Sequence, residues 1–320
     1  MEGAGRAGSS RFGFLLVPKF TMVPFMVAIE TLRIANRLSG KTLYEWPVFT
    51  LDGQPVAACN GMAQIPDGAV GEARDLDVLF VCAGNDPHEA RDKQLYAALR
   101  RLARHGSKLG SVCTGSYILA DAGLLDSYSA TIHWENATGF AEAFPHIELS
   151  NELFIIERDR YICSGGTAPL DMLLNIITNQ HGQDLAVSVS EQFIHDRIRD
   201  PHDHQRMTLR GRLGISHPKL LMAIGLMERS LEEPLTLSQL AAQVGVSKRQ
   251  LERLFRQYLK CTPARYYIEL RLKRARMLLD QTSMTITDVG IACGFVSTSH
   301  FSRSYKDFFG KSPRMERLPA

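Results

Sequence analysis

The stretch KLGSVCTGSYILADAGLL, residues 108–125, decides the fold class of the first part of the chain. Residues 108–113 form a short apolar run that predicts a buried strand, and residues 114–125 predict a helix. In a parallel sheet, a turn from strand to helix lies at the carboxyl ends of the strands, where ligands bind. Cys113 occupies this turn, so the first question is whether its thiol is a nucleophile.

Strand and helix patterns alternate on both sides of this stretch. A continuous apolar run at 76–84 indicates a parallel strand that is buried on both faces. An amphipathic pattern at 93–106 predicts a helix that ends at a glycine. The alternation favours an α/β domain with a mainly parallel sheet. The remaining segments predict strands at 11–17 and 44–53, a strand pair at 151–166, and helices at 27–40, 168–182 and 187–200.

From residue 218 onwards only helical patterns remain. Two segments, 236–266 and 285–315, share one form: a threonine cap, a short helix, a glycine and a second helix. Gly245 and Gly294 supply the positive φ that a tight turn between helices needs. The form is that of a helix-turn-helix, and it occurs twice. The predicted helices are 218–232, 237–243, 248–258, 263–280, 287–293 and 298–308.

The second helix of each unit holds the candidate DNA-binding residues. Short polar and basic side chains at the start of such a helix suit the major groove, where Arg and Gln pair with base edges. Simple solvated helix faces are the alternative, which the occurrence of two such units disfavours. The predicted core stripes are Leu251, Leu254 and Phe255, and Phe301, Tyr305 and Phe308. The candidate DNA-binding residues are Ser247, Lys248, Arg249, Gln250, Arg253, Thr298, Ser299, His300, Arg303 and Lys306.

Charge divides unevenly along the chain. Residues 217–320 hold 17 Lys and Arg against 9 Asp and Glu, whereas the rest holds 20 against 25. A basic C-terminal third therefore predicts a polyanionic partner for that end of the chain.

Composition limits the other functional classes. No apolar run approaches the roughly 20 residues that span a bilayer, so a membrane location is not expected. His202 and His204 lie near aspartates, but a solvated linker is favoured there and no metal site is expected. The six cysteines show neither zinc spacing nor a disulfide framework, which favours a reducing cytoplasm. The cysteines other than Cys113 are expected to be mostly small core residues: Cys59, Cys82, Cys163, Cys261 and Cys293.

Residues 218–316 resemble the DNA-binding domain of the AraC/XylS transcription regulators. The resemblance rests on LAAQVGVSKRQLERLFRQYLKCTPARYYIELRLKRARMLL and ITDVGIACGFVSTSHFSRSYKDFFGKSPRMER. It implies two helix-turn-helix units joined by a long helix, at about 263–280, which read two successive major-groove segments of double-stranded promoter DNA. It also implies recruitment of RNA polymerase, and hence an activator.

GSVCTGSYILADAGLLD, together with ATIHWE, resembles the class I glutamine-amidotransferase-like superfamily with a PfpI-type fold, over about residues 11–195. Catalytic members pair the elbow cysteine with a histidine, which Cys113 and His133 match. They often add a carboxylate from the first strand–helix junction. Here that junction, VPKFTMVPF, has none, and Glu30 lies further along the helix. This departure argues against hydrolysis and glyoxalase-type chemistry, so an enzyme is not expected.

The sharp turn at Cys113, called the elbow below, is predicted to form a pocket for a ligand. Backbone N–H groups of Thr114 and of the AGND loop, residues 83–86, can donate to a ligand carboxylate. Trp134 offers an aromatic face to a cationic nitrogen, and Glu135 a countercharge. Core packing of Trp134 and a surface role of Glu135 are the alternatives. The candidate ligand-binding residues are Asn85, Cys113, Thr114, His133, Trp134 and Glu135.

An α/β domain fused to an AraC-type tail resembles the GlxA-type regulators. These include members that respond to amino acids, such as arginine, and to quaternary amines such as glycine betaine and carnitine. The prediction is a cytoplasmic, homodimeric transcription regulator with a small-molecule effector and no cofactor. The alternatives are a constitutive DNA-binding regulator whose α/β domain only dimerises, and a cysteine-dependent hydrolase-like enzyme. The predicted parts are a disordered tip at 1–10, a flavodoxin-like sensing and dimerisation domain at 11–200, a linker at 201–217 and the DNA-binding domain at 218–320.

Overall fold

A computed structural model describes residues 8–317 of the chain. The chain divides into two compact units, Met1–Gln205 and Arg206–Ala320. The boundary lies within the segment 201–217 that the sequence predicts as a linker. Most of the predicted disordered tip lies outside the described residues, although Ser10 already begins the first strand.

The first unit is an α/β unit built on a mainly parallel sheet, which confirms the predicted fold class. Pro47 has no N–H donor and separates two short strands in the segment 44–53 that was predicted as one strand. The strands are β1 (Ser10–Leu16), β2 (Tyr44–Glu45), β3 (Val48–Thr50), β4 (Val56–Ala57), β5 (Ala63–Gln64), β6 (Gly68–Ala69), β7 (Val78–Cys82), β8 (Lys108–Val112), β9 (Phe154–Glu157) and β10 (Arg160–Cys163).

The sheet order places the end of β8 at the middle of one sheet edge. The order is β6-β3-β1-β7-β8-β10-β9, with β2 also paired to β1, and β4 and β5 form a separate antiparallel hairpin. Strands β1, β7, β8 and β10 run parallel, and β9 is antiparallel to β10. Because parallel strands end at the same edge, the residues after β1, β7, β8 and β10 come together there.

The helices cover both faces of the sheet. Alternate residues of β1 enter opposite cores: Phe12 and Phe14 lie on one side, and Leu15 on the other. This two-sided burial explains the continuous apolar strands. The last helix of this unit ends at Gln192 and not at residue 200 as predicted. His195 and Arg199 instead turn back to bond Asp171, which lies in the helix Ala168–His181. The helices are α1 (Met22–Ser39), α2 (Lys93–Arg104), α3 (Gly115–Asp121), α4 (Ala137–Ala143), α5 (Ala168–His181) and α6 (Gln183–Gln192).

In the second unit the described residues form helices only. A short helix lies inside the predicted linker, because Leu209 and Leu213 pack against the core of this unit and Thr208 caps the helix. The short helix Pro313–Arg317 was not predicted either, whereas the other six agree with the predicted ones to within a few residues. The helices are α7 (Leu209–Leu213), α8 (Pro218–Arg229), α9 (Leu237–Val244), α10 (Lys248–Leu259), α11 (Pro263–Gln281), α12 (Ile286–Ala292), α13 (Thr298–Phe309) and α14 (Pro313–Arg317).

Each helix-turn-helix has its own core. The predicted stripe on α10 is confirmed, since Leu251, Leu254 and Phe255 are all buried. On α13 the prediction of Phe308 is wrong: its side chain is 38% exposed. Phe309 packs in its place, with its ring centroid 4.6 Å from that of Tyr305, because it lies one helical turn after that residue.

The cysteines are free, but not all of them are core residues. Cys82, Cys163 and Cys293 are buried, in agreement with the prediction that most of these cysteines are core residues. Cys59 is exposed and Cys261 is half-buried, because both lie in turns at the surface. Among residues 8–317, no helix has the length and apolar character needed to cross a bilayer.

Candidate functional site

Cys113 lies in the sharp turn between β8 and α3, at the carboxyl edge of the sheet. Its φ of 62° is in the left-handed region of backbone conformation, which residues other than glycine rarely adopt. Glycines make the tight crossing possible. A Cβ on Gly165 would lie 2.9 Å from the Cβ of Cys113, and one on Gly115 would lie 2.1 Å from the carbonyl oxygen of Val81. The packing leaves the Cys113 side chain only 7% exposed.

The surroundings of the Cys113 thiol favour its protonated form. Burial raises its pKa, and the nearby Cys59 and Glu135 raise it further. Hydrogen bonds from the Thr21 hydroxyl, 3.7 Å from the sulfur, and from the Thr114 backbone act in the opposite direction but do not outweigh burial. Because the thiolate is the nucleophilic form, this cysteine is not activated for attack.

Thr21 occupies the first strand–helix junction, where catalytic relatives often place a carboxylate. Its hydroxyl donates to the Cys113 sulfur. Glu30, the next carboxylate along α1, forms an exposed ion pair with Arg33 at 2.7 Å. Sequence reasoning identified the missing carboxylate but not Thr21, because the two residues are 92 positions apart and meet only through the sheet.

Of the predicted contact residues, Thr114 bonds the loop that contains Asn85. The buried Thr114 hydroxyl donates to the carbonyl oxygen of Gly84 at 2.6 Å, so it ties the elbow to the AGND loop. Asn85, the next residue, is exposed. A Cβ on Gly84 would lie 2.4 Å from the carbonyl oxygen of Lys19, so this glycine permits the junction to approach the loop.

Two side chains at this edge of the sheet were not predicted as site residues. Lys19 pairs with Asp86 and with Glu89, each at 2.8 Å. The backbone N–H of Cys59 donates to the carbonyl oxygen of Phe20 at 2.9 Å, which brings the β4–β5 hairpin to the same junction. No local pattern signals either residue, since both are placed by contacts between loops.

His133, Trp134 and Glu135 form the next group. The Nδ1 atom of His133 lies 3.7 Å from a carboxylate oxygen of Glu135, and its ring centroid lies 5.5 Å from that of Trp134. Burial lowers the pKa of His133 against the opposing charge of Glu135, so the ring is neutral at pH 7. The Trp134 side chain is half-buried, which leaves part of its surface open to a ligand.

On α10 the structure separates capping residues from basic ones. Ser247 accepts a hydrogen bond from the N–H of Gln250, whose side-chain oxygen accepts one from the N–H of Ser247. This capping box engages both side chains, so their predicted contact with bases competes with capping. Lys248, Arg249 and Arg253 are exposed, and the two arginines lie opposite the buried stripe.

On α13 the cap is Ser297, which accepts from the N–H of His300 and lies just before the predicted residues. The His300 ring lies edge-on to Phe295, with the centroids 5.6 Å apart. Every predicted residue on this helix is exposed: Thr298, Ser299, His300, Arg303 and Lys306.

The turns have the expected glycine conformations. Gly245 has φ 70° and Gly294 has φ 73°, so both predictions are confirmed. Both therefore adopt the left-handed conformation that turns the chain into the second helix of each unit.

Comparisons with known proteins match these two parts of the chain. A model of the DJ-1/PfpI family matches residues 14–178, and a helix-turn-helix domain model matches residues 240–317. A crystal structure of an AraC family transcriptional regulator from Pseudomonas putida is 28% identical, with a TM-score of 0.52, and covers 57% of this chain and 99% of that one.

Two named relatives extend over nearly the whole chain. The HTH-type transcriptional regulator GbdR of Pseudomonas aeruginosa is 49% identical over 305 residues, which cover 95% of this chain and 83% of the relative. The HTH-type transcriptional regulator GlxA of Rhizobium meliloti is 38% identical, and the match covers 95% of this chain and 94% of that relative. The chain therefore belongs to the AraC family of HTH-type transcriptional regulators, in the GlxA-type arrangement of a DJ-1/PfpI domain followed by the helix-turn-helix domain.

Proposed function

We propose that this regulator binds promoter DNA through α10 and α13 and senses a small zwitterion at the Cys113 elbow. The observation that carries the first part is the placement of Arg249 and Arg303. Each is exposed on a capped helix, Arg249 in the first turn and Arg303 near the middle, opposite a buried apolar stripe. Arginine presents a rigid fork of donors that pairs with guanine in the major groove.

The sensing part of the proposal rests on the chemistry around Cys113. The buried thiol, whose pKa is raised, favours binding over nucleophilic attack. Trp134 supplies an aromatic face for a cationic nitrogen, and Glu135 supplies a negative charge beside it. We expect a ligand carboxylate to accept from backbone N–H groups at the turn after β8 and at Asn85. The effector class we propose is a quaternary-amine or amino-acid zwitterion such as glycine betaine, carnitine or arginine, consistent with the GlxA-type resemblance.

The remaining parts of the proposal follow from the family. We expect a cytoplasmic homodimer that pairs through its first unit and activates transcription with RNA polymerase. The sensing domain corresponds to residues 11–200 and the DNA-binding domain to 218–320. A constitutive regulator whose first unit only dimerises is the second candidate, and a cysteine-dependent hydrolase is disfavoured because the Cys113 thiol is protonated and Thr21 stands at the junction.

Thermal unfolding against a ligand panel tests the sensing proposal. The panel holds glycine betaine, dimethylglycine, carnitine, choline, arginine and other amino acids. A compound at ~100-fold excess over its Kd stabilises the folded protein by about 2.7 kcal/mol. We expect one zwitterion to raise the melting temperature of the wild type and of Trp46→Ala, a control at the other tryptophan, but not of Trp134→Ala.

Two outcomes contradict the sensing proposal. The absence of a shift with every compound favours the constitutive regulator. Turnover of an amide, ester or α-oxoaldehyde that disappears in Cys113→Ala favours the enzyme.

A further inference from the structure

The last residues of the first unit bind the segment that carries the proposed effector contacts. The Nε2 group of Gln205 has two N–H donors and lies 3.0 Å from each of three acceptors: Thr131 Oγ1, the carbonyl oxygen of Ile132 and that of Glu152. The carbonyl oxygens of Ile132 and Glu152 can only accept, so the amide nitrogen and not the amide oxygen faces them. Ile132 directly precedes His133 in the chain, and Gln205 is the last residue before the second unit.

A buried hydrogen-bond chain links the same glutamine to the Cys113 elbow. Ser111 and Ser116, on either side of the elbow, share a hydrogen bond of 2.8 Å. The Ser116 hydroxyl donates to the carbonyl oxygen of Thr131 at 2.8 Å, and Thr131 Oγ1 accepts from Gln205. The side chains of Ser111, Ser116 and Thr131 are fully buried. In such a dry network, a shift of one member changes the geometry of the next.

A second anchor holds the upstream end of the exit segment, residues 195–205. The fully buried carboxylate of Asp171 accepts from the backbone and guanidinium of Arg199, the closest at 2.6 Å, and pairs with His195 at 3.0 Å. This anchor is charged and buried, so it is expected to stay closed. The downstream anchor at Gln205 consists of neutral hydrogen bonds on a half-buried side chain, so it is the end that can rearrange.

We propose that Gln205 is a positioning residue that couples effector binding to DNA binding. An effector that contacts His133, Trp134 or Cys113 shifts Thr131 and Ile132. This shift changes the hydrogen bonds of Gln205. The chain that leads into the second unit then has a different set of accessible conformations. Such coupling requires the effector to bind one arrangement more tightly than the other. The inference rests on the proposed effector site and adds the route by which that site acts.

The test compares the full-length wild type with Gln205→Leu, which removes the donors at similar size, and with Gln205→Glu, which keeps the shape. Glycine betaine, carnitine and arginine are titrated by calorimetry. The Kd for an operator selected from random DNA is then measured with and without each compound at saturation. Coupling factors of roughly 5 to 150 are typical of allosteric proteins. We expect a factor in that range for the wild type and a factor near 1 for both variants, while each variant still binds the compound and the DNA.

Gln192→Leu is the matched control. This glutamine lies in the same unit and accepts a hydrogen bond from Arg37, away from Thr131, so its coupling factor should equal that of the wild type. Hydrogen exchange supplies a second measurement. The effector should change the protection of residues 199–205 in the wild type, and less so in Gln205→Glu.

The outcomes separate this inference from the proposed function. A wild type that binds none of the three compounds, or binds one without any change in DNA affinity, overturns the proposed sensing function and this inference with it. A wild type with clear coupling that Gln205→Leu and Gln205→Glu both retain overturns this inference alone. A loss of coupling that also occurs in Gln192→Leu shows a general loss of stability and likewise overturns it.

Discussion

Cys113 occupies a nucleophile's position in the fold but has the protonation state of a buried core thiol. Its left-handed backbone and its contact with Gly165 keep the sulfur at the carboxyl edge of the sheet. Burial raises the pKa of the thiol, and the side chain that reaches its sulfur from the junction is the hydroxyl of Thr21 in place of a carboxylate. Cys113 therefore retains the backbone geometry of a nucleophile's turn, while its environment favours the protonated thiol.

Alkylation should report the raised pKa of Cys113 directly. Burial keeps this thiol protonated, so its thiolate fraction grows only above the ordinary thiol pKa of about 8.5. We expect iodoacetamide to label Cys113 slowly at pH 7 and faster as the pH rises past 9, with exposed Cys59 as the internal comparison in peptide mass spectrometry. Equal labelling rates of the two residues at pH 7 would contradict the protonated state.

The recognition-helix arginines should differ from other surface arginines on DNA. We expect Arg249→Ala and Arg303→Ala each to weaken operator binding by roughly 1–3 kcal/mol, because each loses paired hydrogen bonds to a base. Binding to random DNA should change less. Arg256→Ala, in the last turn of α10, is the control. Equal losses on operator and random DNA, measured by fluorescence anisotropy, would assign the residue to phosphate contact alone.

At the scale of elements, α11 holds both helix-turn-helix units. The Tyr267 hydroxyl accepts from the N–H of Leu235, in the loop before α9. One turn later, Arg271 donates to the carbonyl oxygens of Cys293 and Gly294 at 2.7 and 2.6 Å, with its guanidinium 4.0 Å from the Phe295 ring. One face of α11 thus holds the loop before the first helix-turn-helix and the turn inside the second one.

Gly294 makes this arrangement testable. A Cβ there would lie 2.6 Å from Pro234 and 2.7 Å from the carbonyl oxygen of Leu231, and its φ is positive. Gly310 also has a positive φ, but no atom lies within 4 Å of its added Cβ. We expect Gly294→Ala to destabilise the second unit by more than 2 kcal/mol, since a clash adds to the roughly 1–2 kcal/mol of left-handed strain that Gly310→Ala also incurs.

Urea unfolding can resolve this difference within one sample. Far-UV circular dichroism follows the helices, while both tryptophans, Trp46 and Trp134, lie in the first unit and report on it separately. The fluorescence transition should stay unchanged in both variants. Equal destabilisation by Gly294→Ala and Gly310→Ala would show that the contact with Pro234 and Leu231 adds nothing.

At the scale of the whole molecule, charge follows the division into units. The unit from Arg206 onwards holds 20 Lys and Arg against 9 Asp and Glu, and the first unit holds 17 against 25. DNA therefore attracts one unit and not the other, so non-specific binding should depend on the second unit alone.

Salt dependence should show which lysines contact phosphate. The logarithm of the DNA association constant falls with the logarithm of salt concentration by about 0.9 per phosphate contacted. We expect Lys248→Ala and Lys306→Ala each to reduce that slope by about 0.9, whereas Lys41→Ala, in the acidic unit, leaves it unchanged. An unaltered slope in either recognition-helix variant would remove that lysine from the phosphate contacts.

The sequence by itself determined the elements whose signals are local. Capping residues, turn glycines and apolar stripes act within three or four residues, so both helix-turn-helix units and the alternating strands and helices could be read directly. Phe308 shows the limit of this prediction from periodicity. A stripe with a period of 3.6 does not distinguish Phe308 from Phe309 at the end of a helix.

Only the tertiary structure decided which distant residues meet. Thr21 reaches Cys113, Asp171 binds Arg199, and Gln205 binds Thr131 through strand order and through loops at one sheet edge. These pairs lie 92, 28 and 74 positions apart. No local period relates such residues, because their proximity depends on how parallel strands are ordered and on which side each crossing passes. The contacts around the candidate ligand site depend on those long-range pairs, whereas the helix-turn-helix form depends on local signals.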